Sequence, residues 1–314
     1  MALIDTALDA TLVGYTSAGF AARGLSVDEP FPGVSKKHVL VTGATRGIGR
    51  AAVERLASNG AMVHAVGRNE DALAKLVEET SGTVIAHTAD LSLLESVVRL
   101  ADDYVASGRP LHGLVNNVGV MPPSRTVTAE GVELTYATNL LGQYVLTRRL
   151  LPALGVEPSR IVMVSSGGMY SAGLTAENID SSEGSYSPTE AYARTKRGQV
   201  VLASEWASAM GAQRITINAM HPGWVDTEGV RDSLPRFYRL TRPFLRTAEQ
   251  GADTIVWLVA SDAASDATGE FFHDRLERPV HRVKRTHDDP DTRRAFMERL
   301  ADDAAPFLAP QPSD

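Results

Sequence analysis

The chain has 314 residues, 43% hydrophobic and 22% charged, which suits one large α/β domain or two small ones with ample material for a core. Its net charge of −7 offers no general attraction to nucleic acid or an anionic membrane, because a partner held through phosphates favours a basic chain. The lack of cysteine excludes disulfides, thiolate metal sites and cysteine nucleophiles and fits a reducing compartment.

No apolar run approaches the ~20 residues that span a bilayer. The first residues carry Asp5 and Asp9 and no basic start, so no signal peptide is expected and the cytoplasm is the expected location. Residues 1–36 read as an extension in which Leu3, Ala7, Leu8, Leu12 and Val13 lie near helical spacing. Pro30, Pro32 and Gly33 then interrupt the chain. From His38 short apolar runs alternate with helical stretches. Strands are expected at 38–43, 61–67, 83–88, 111–117, 160–166, 214–223 and 269–274. Helices are expected through 50–58 and at 69–80, 92–106, 130–151, 188–210 and 247–260. The alternation implies βαβ units, hence a single Rossmann-type doubly wound parallel sheet of about seven strands with helices on both faces. No repeat or linker divides 37–275, which is read as one domain. Residues 276–314 form a charged C-terminal extension with a helix expected at 291–300 and a loose end.

The first strand runs into Thr42-Gly-Ala-Thr-Arg-Gly-Ile-Gly-Arg50 and then a helix. Gly43, Gly47 and Gly49 allow close backbone approach to a pyrophosphate, which the free N–H groups and dipole of the helix N-terminus favour. The spacing is G-x-x-x-G-x-G, and three glycines alone would also make an ordinary turn; the strand–turn–helix context is what points to a nucleotide. Tyr192 and Lys196 stand four residues apart on an expected helix, hence on one face. They follow a strand ending in Ser165-Ser166 and precede one ending in His221-Pro222-Gly223. A phenol with a pKa of about 10 becomes a usable acid/base when an ammonium stabilises its phenolate. A serine hydroxyl can hydrogen-bond a carbonyl oxygen as charge develops on it.

Taken together, TGxxxGIG at 42–49, NNVG at 116–119, ATNLLG at 137–142, VSS at 164–166, Tyr-x-x-x-Lys at 192–196 and HPGWVDT at 221–227 resemble the short-chain dehydrogenase/reductase family from about residue 38 to 275. The resemblance implies catalytic roles for Asn139 (holding a proton-relay water), Ser166 (orienting the substrate oxygen), Tyr192 (acid/base) and Lys196 (tuning Tyr192 and binding the nicotinamide ribose). It implies cofactor contacts from Gly43, Thr45, Arg46, Gly47, Ile48, Gly49, Arg68, Asp90, Leu91, Asn117, Gly119, Tyr192, Lys196, Pro222, Gly223, Val225 and Thr227, and a sheet-stabilising role for Asn116. Asp90 taken alone is equally a helix N-cap. Val118 departs from the usual Ala. The second strand ends in Gly67-Arg68 with no acidic residue, and Arg46 lies in the glycine turn. Such a pair suits a 2′-phosphate, so NADP(H) is expected over NAD(H). The implied activity is interconversion of an apolar ketone or aldehyde and its alcohol.

Ser166 and Tyr192 are 26 residues apart, about twice the gap of simple members, so 167–188 is expected to wall the substrate pocket. Such an insertion can obstruct a helical dimer face, which leaves monomer and dimer open. Residues 228–246 read as a lid with Phe237, Tyr238, Leu240, Phe244 and Leu245 apolar and Arg231, Arg236, Arg239, Arg242 and Arg246 basic. Either an apolar substrate with an anionic end or an anionic lipid surface would match it; a solvated loop would too. Segments 15–20, 164–169, 191–202, 220–231, 248–258 and 269–275 extend the resemblance toward one subset of the family. The eight histidines lack metal-ligand spacing, so no metal is expected, and His281 and His287 are expected in solvent. Trp206, Trp224 and Trp257 are expected in the core or pocket wall. The alternatives are a non-catalytic NADP(H)-binding regulator, against which the intact Tyr192, Lys196, Ser166 and Asn139 speak; a sugar-nucleotide epimerase, whose G-x-x-G-x-x-G turn is missing; and a peripheral lipid-surface protein.

Overall fold

A computed structural model describes residues 2–9, 11–80, 82–182, 184–210 and 214–309. The expected loose end at 310–314 lies outside them. The extension folds as α1 (Ala2–Asp9), a 3-10 turn (Leu12–Tyr15) and α2 (Ser17–Ala22). The alternation then begins with β1 (His38–Thr42), α3 (Gly47–Ser58), β2 (Met62–Gly67), α4 (Glu70–Glu79), β3 (Val84–Thr88), α5 (Leu94–Ala106) and β4 (Gly113–Asn116). Next, α6 (Leu134–Tyr136) passes through a π-helical turn (Ala137–Leu141) into α7 (Gly142–Leu150), followed by β5 (Ser159–Val164), α8 (Pro188–Met210) and β6 (Ile215–Met220). The lid holds α9 (Glu228–Ser233) and α10 (Pro235–Thr241). After it come α11 (Ala248–Ala260), β7 (Phe271–His273), β8 (Leu276–Glu277) and α12 (Pro290–Leu308).

The sheet order is β3-β2-β1-β4-β5-β6-β7-β8, with every pairing parallel except β7 to β8. The eighth strand, not foreseen, returns from β7 through Asp274 and Arg275, both in the left-handed region (φ 55° and 60°); two such residues make the tight turn that suits a hairpin. Strands buried on both faces explain the continuous apolar runs. Val39 and Val41 enter the core with α3, α4 and α11. Leu40 between them enters the core with α5, α7, α8 and α12.

Three differences from the expected reading have identifiable causes. The helix expected at 92 starts at Leu94, and its N-cap position is Leu93, not Asp90. The Leu94 and Glu95 N–H groups instead donate to the Glu130 carboxylate at 2.6 and 2.9 Å. The helix expected at 291–300 runs from Pro290 to Leu308, because Phe296, Leu300 and Ala304 are fully buried at a three-to-four-residue spacing. The histidines, scattered in sequence, gather in space. His38 and His64 stand 2.9 Å apart, and His64 and His87 2.8 Å apart, along a hydrogen-bonded ladder across β1, β2 and β3. His221 stacks on His273 at 3.9 Å. His281, expected in solvent, is largely buried beside Asp288 and stacks on His287 at 4.6 Å. No group of these residues has metal-holding geometry among the described residues.

Candidate active site

The glycine turn lies at the C-terminal end of β1 and opens α3. Gly47 has φ 53°, which an L side chain rarely adopts, and a Cβ there would press on Thr227 Cγ2 at 3.3 Å. A Cβ on Gly49 would collide with the Gly43 carbonyl oxygen and stand 2.5 Å from Asn117 Nδ2. The turn is thus a cradle that side chains would fill, next to the first turn of α3, where backbone N–H groups lack helical partners. These residues fit a dinucleotide pyrophosphate.

Thr42 and Asn117 hold the cradle together. Thr42 Oγ1 accepts from the Asn117 and Val118 N–H groups at 2.9 and 3.0 Å and donates to Val115 O at 3.1 Å. Asn117 Nδ2 donates to Thr42 O at 2.8 Å. Asn116, fully buried, donates to Thr147 Oγ1 at 3.1 Å and to Met163 Sδ, and so ties β4 to α7 and β5. Leu91 is buried in the core. Asp90 Oδ1 accepts from Ser92, and its Oδ2 lies 3.8 Å from Arg68. Arg68 is 64% exposed; Arg46 is 65% exposed and pairs with Glu228 of α9 at 3.0 Å. Thr45 and Ile48 belong to the same turn. Thr227 caps α9 by accepting from the Val230 N–H at 3.2 Å. Val225 is buried, and Pro222 and Gly223 form the loop after β6.

Tyr192 and Lys196 project from the second and third turns of α8 next to the end of β5. Lys196 is buried, donates to Val164 O at 2.7 Å and lies 5.4 Å from the centre of the Tyr192 ring. Burial brings its ammonium down to about 7. Burial also raises the Tyr192 phenol, and a hydrogen bond with Ser166 offsets this in part. Ser166 Oγ accepts from the Gly168 N–H at 3.1 Å, which fixes the turn after β5. Gly119 approaches from the far side, where a Cβ would stand 3.3 Å from Lys196 Nζ and 3.5 Å from Asn139 Oδ1. Asn139 lies in the π-helical turn, fully buried. Its side chain accepts from Val120 N at 2.8 Å and donates to Val120 O at 3.0 Å and Thr195 Oγ1 at 3.3 Å. Its carbonyl accepts from Gln199 Nε2 at 3.0 Å. Gln199 also reaches Gln143, which in turn donates to Val118 O. Thr42, Gln143 and Gln199 were missed in the sequence because only the fold brings them to the site.

The lid arginines divide. Arg246 is no surface charge: it is fully buried, paired with Asp274 and bonded to the carbonyls of Gly14, Tyr15, Thr16 and Pro222. Leu245 is buried beside it. Arg231 pairs with Asp226 at 3.2 Å. Arg236, Arg239 and Arg242 are exposed without an ion pair among the described residues, next to Leu240 (78% exposed) and Phe244 (57%). Phe237 meets Trp224 edge-on at 5.0 Å, and Tyr238 reaches Asp226. Trp206 packs on Tyr144 and Trp257 on Phe272.

Comparison with known proteins identifies relatives of this chain. The short chain dehydrogenase profile matches residues 37–236. Dehydrogenase/reductase SDR family member 12 of Bos taurus is 38% identical over 93% of this chain and 95% of its own. Retinol dehydrogenase 12 of Homo sapiens is 35% identical over 76% of this chain and 78% of its own. Among solved structures, the angucycline C-6 ketoreductase LanV with bound NADP aligns with a TM-score of 0.62 at 27% identity, covering 77% of this chain and 95% of that one.

Proposed function

The chain belongs to the short-chain dehydrogenase/reductase family of NAD(P)-dependent oxidoreductases, and from that premise we propose that it interconverts an apolar ketone or aldehyde and its alcohol using NADP(H). The observation that carries the reading is the buried Lys196, hydrogen-bonded to Val164 O and set under the Tyr192 ring, with the Ser166 hydroxyl on the phenol. A bound nicotinamide dinucleotide would supply or accept the hydride; the glycine cradle, Asp90, Asn117, Gly119 and the 222–227 loop would hold it. Ser166 hydrogen-bonds the carbonyl oxygen, Tyr192 delivers the proton to that oxygen, and Lys196 stabilises the phenolate left behind. Asn139 positions the loop that passes Lys196 by its paired hydrogen bonds to Val120, and its expected role is to hold a water that replaces the proton. The preference for NADP(H) is supported by exposed Arg46 and Arg68 and by the absence of an acidic residue at the end of β2. A non-catalytic role would not require this set.

The test follows NADPH consumption by nicotinamide absorbance against apolar ketones, aldehydes and quinones. Tyr192→Phe is expected to lower turnover by about 10²-fold or more while NADPH still binds. Equal turnover by the variant would refute the proposed acid.

A second reading concerns where the enzyme works. No helix among the described residues is long and apolar enough to cross a membrane. The outer face of the lid nevertheless combines unpaired Arg236, Arg239 and Arg242 with exposed Leu240 and Phe244, a pattern suited to the surface of an anionic bilayer. Phosphatidylserine vesicles are expected to carry the protein on flotation, and Arg236→Glu/Arg239→Glu/Arg242→Glu is expected to release it. Flotation of neither protein would refute the bilayer reading.

A further inference from the structure

The N-terminal extension brings Tyr15 to the rim of the carbonyl site. Gly167 follows Ser166, and a Cβ there would stand 2.9 Å from Tyr15 Cε1. The Tyr15 ring thus occupies the space that a side chain next to the catalytic serine would take. The ring stacks on His221 at 5.1 Å and 24°, and on Trp224 at 5.8 Å and 27°. Trp224 in turn meets Phe237 of α10 edge-on at 5.0 Å and 89°. One aromatic wall therefore runs from the turn after β5, through the extension, to the lid. The ring also stacks on the buried His273 at 5.5 Å, and Tyr15 itself is only partly buried.

The backbone that carries the ring is held in place. Tyr15 O accepts from Trp224 N at 2.8 Å and from Arg246 Nε at 3.1 Å. The preceding Gly14 O accepts from Arg246 Nη2 at 2.8 Å, and fully buried Arg246 is paired with Asp274. Groups locked by buried hydrogen bonds and ion pairs hold their geometry in a way that loop residues do not.

We propose that Tyr15 is a specificity-determining residue of the carbonyl pocket, and that the wall it forms with Trp224 and Phe237 selects flat, conjugated ketones and aldehydes over their saturated counterparts. The proposal rests on the reductase reading for where the carbonyl lies. Ring pairs in offset or edge-on geometry gain attraction beyond their buried area, which a puckered saturated ring does not. The corresponding preference is about 5- to 10-fold in affinity.

The experiment measures calorimetric binding of acetylnaphthalene and its perhydro counterpart to the enzyme saturated with NADP+, so no turnover is needed. The wild type is expected to bind the aromatic ketone about 5- to 10-fold more tightly. Tyr15→Ala is expected to erase that preference and Tyr15→Phe to retain it, with NADP+ affinity unchanged in both. Gly167→Ala, which crowds the ring from the serine side, is a second route to the same loss should Tyr15→Ala fold poorly. Equal binding of the two ketones by the wild type, binding of neither, or a preference that survives both Tyr15→Ala and Gly167→Ala overturns the proposal. Tyr192→Phe separates it from its premise: that variant is expected to lose turnover and keep the binding preference.

Discussion

Arg46 and Arg68 are the residues by which the cofactor preference stands or falls. Both side chains are nearly two-thirds exposed, and their carboxylate partners, Glu228 and Asp90, are also open to water, so these pairs are weak competitors for a dianionic phosphate. A charge-assisted hydrogen bond contributes about 1.5–3 kcal/mol, and about 1.4 kcal/mol is tenfold in affinity. Arg46→Ala/Arg68→Ala is therefore expected to weaken NADPH binding by about 10²-fold or more while changing NADH binding less than about threefold, measured by fluorescence titration. Equal losses for both dinucleotides would mean that the arginines serve the shared pyrophosphate, and the NADP(H) preference would have to be withdrawn. Lys196 illustrates a different constraint. Burial lowers its ammonium to about 7, and the hydrogen bond to Val164 O fixes where the nitrogen sits, so its influence on Tyr192 depends on the end of β5 as much as on the lysine itself.

At the scale of elements, β1, β2 and β3 carry a titratable ladder that the reaction does not use. Burial lowers His64 from 6.5 to about 3, and His38 and His87 are lowered for the same first cause. The folded state thus resists protons that the unfolded chain accepts below about 6.5. Stability from His64 is fully present above that pH and is lost as pH falls from 6.5 toward 3, by about 1.4 kcal/mol per pH unit. Urea unfolding midpoints are expected to fall between pH 7 and 5, and His64→Phe to flatten the fall; an unaltered slope in the variant would assign the acid sensitivity to other groups. None of this was legible in the sequence, because the ladder depends on strand register: Leu40 pairs with His64, and Val66 with His87. Glu130 capping α5 and Asp274 holding Arg246 are equally long-range contacts. By contrast, the βαβ alternation that implies a parallel sheet, the glycine turn and the spacing of Tyr192 and Lys196 are local patterns of apolar period and turn chemistry, and these were readable residue by residue. The ends of α12 and the hairpin to β8 fell between the two: their signals are local, but burial of Phe296 and the left-handed Asp274-Arg275 turn are set by the surroundings.

For the molecule as a whole, α12 decides which surface remains for a second copy. Phe296 is fully buried, and a Cβ on Gly198 of α8 would already stand 2.8 Å from Leu140 and 3.1 Å from Phe296 Cζ, so the helix is seated as closely as the backbone permits. Polar contacts fix its length: Arg293 pairs with Glu205 at 2.6 Å, Tyr136 donates to Asp303 at 2.8 Å, and Arg149 donates to Phe307 O at 2.7 Å. The apolar faces of α7 and α8 are thereby covered by the chain's own C-terminal extension. Losing a buried aromatic costs about 3–5 kcal/mol, and a carboxylate in its place adds the expense of an unpaired buried charge. Phe296→Asp is therefore expected to detach α12 and expose Leu140, Leu300 and their neighbours as one apolar patch, of the kind that drives association. Light scattering on the eluting peak should then show a larger species for the variant than for the wild type at the same concentration. If both elute with the same mass while hydrogen exchange shows α12 released, the helix supports the fold without sealing an interface.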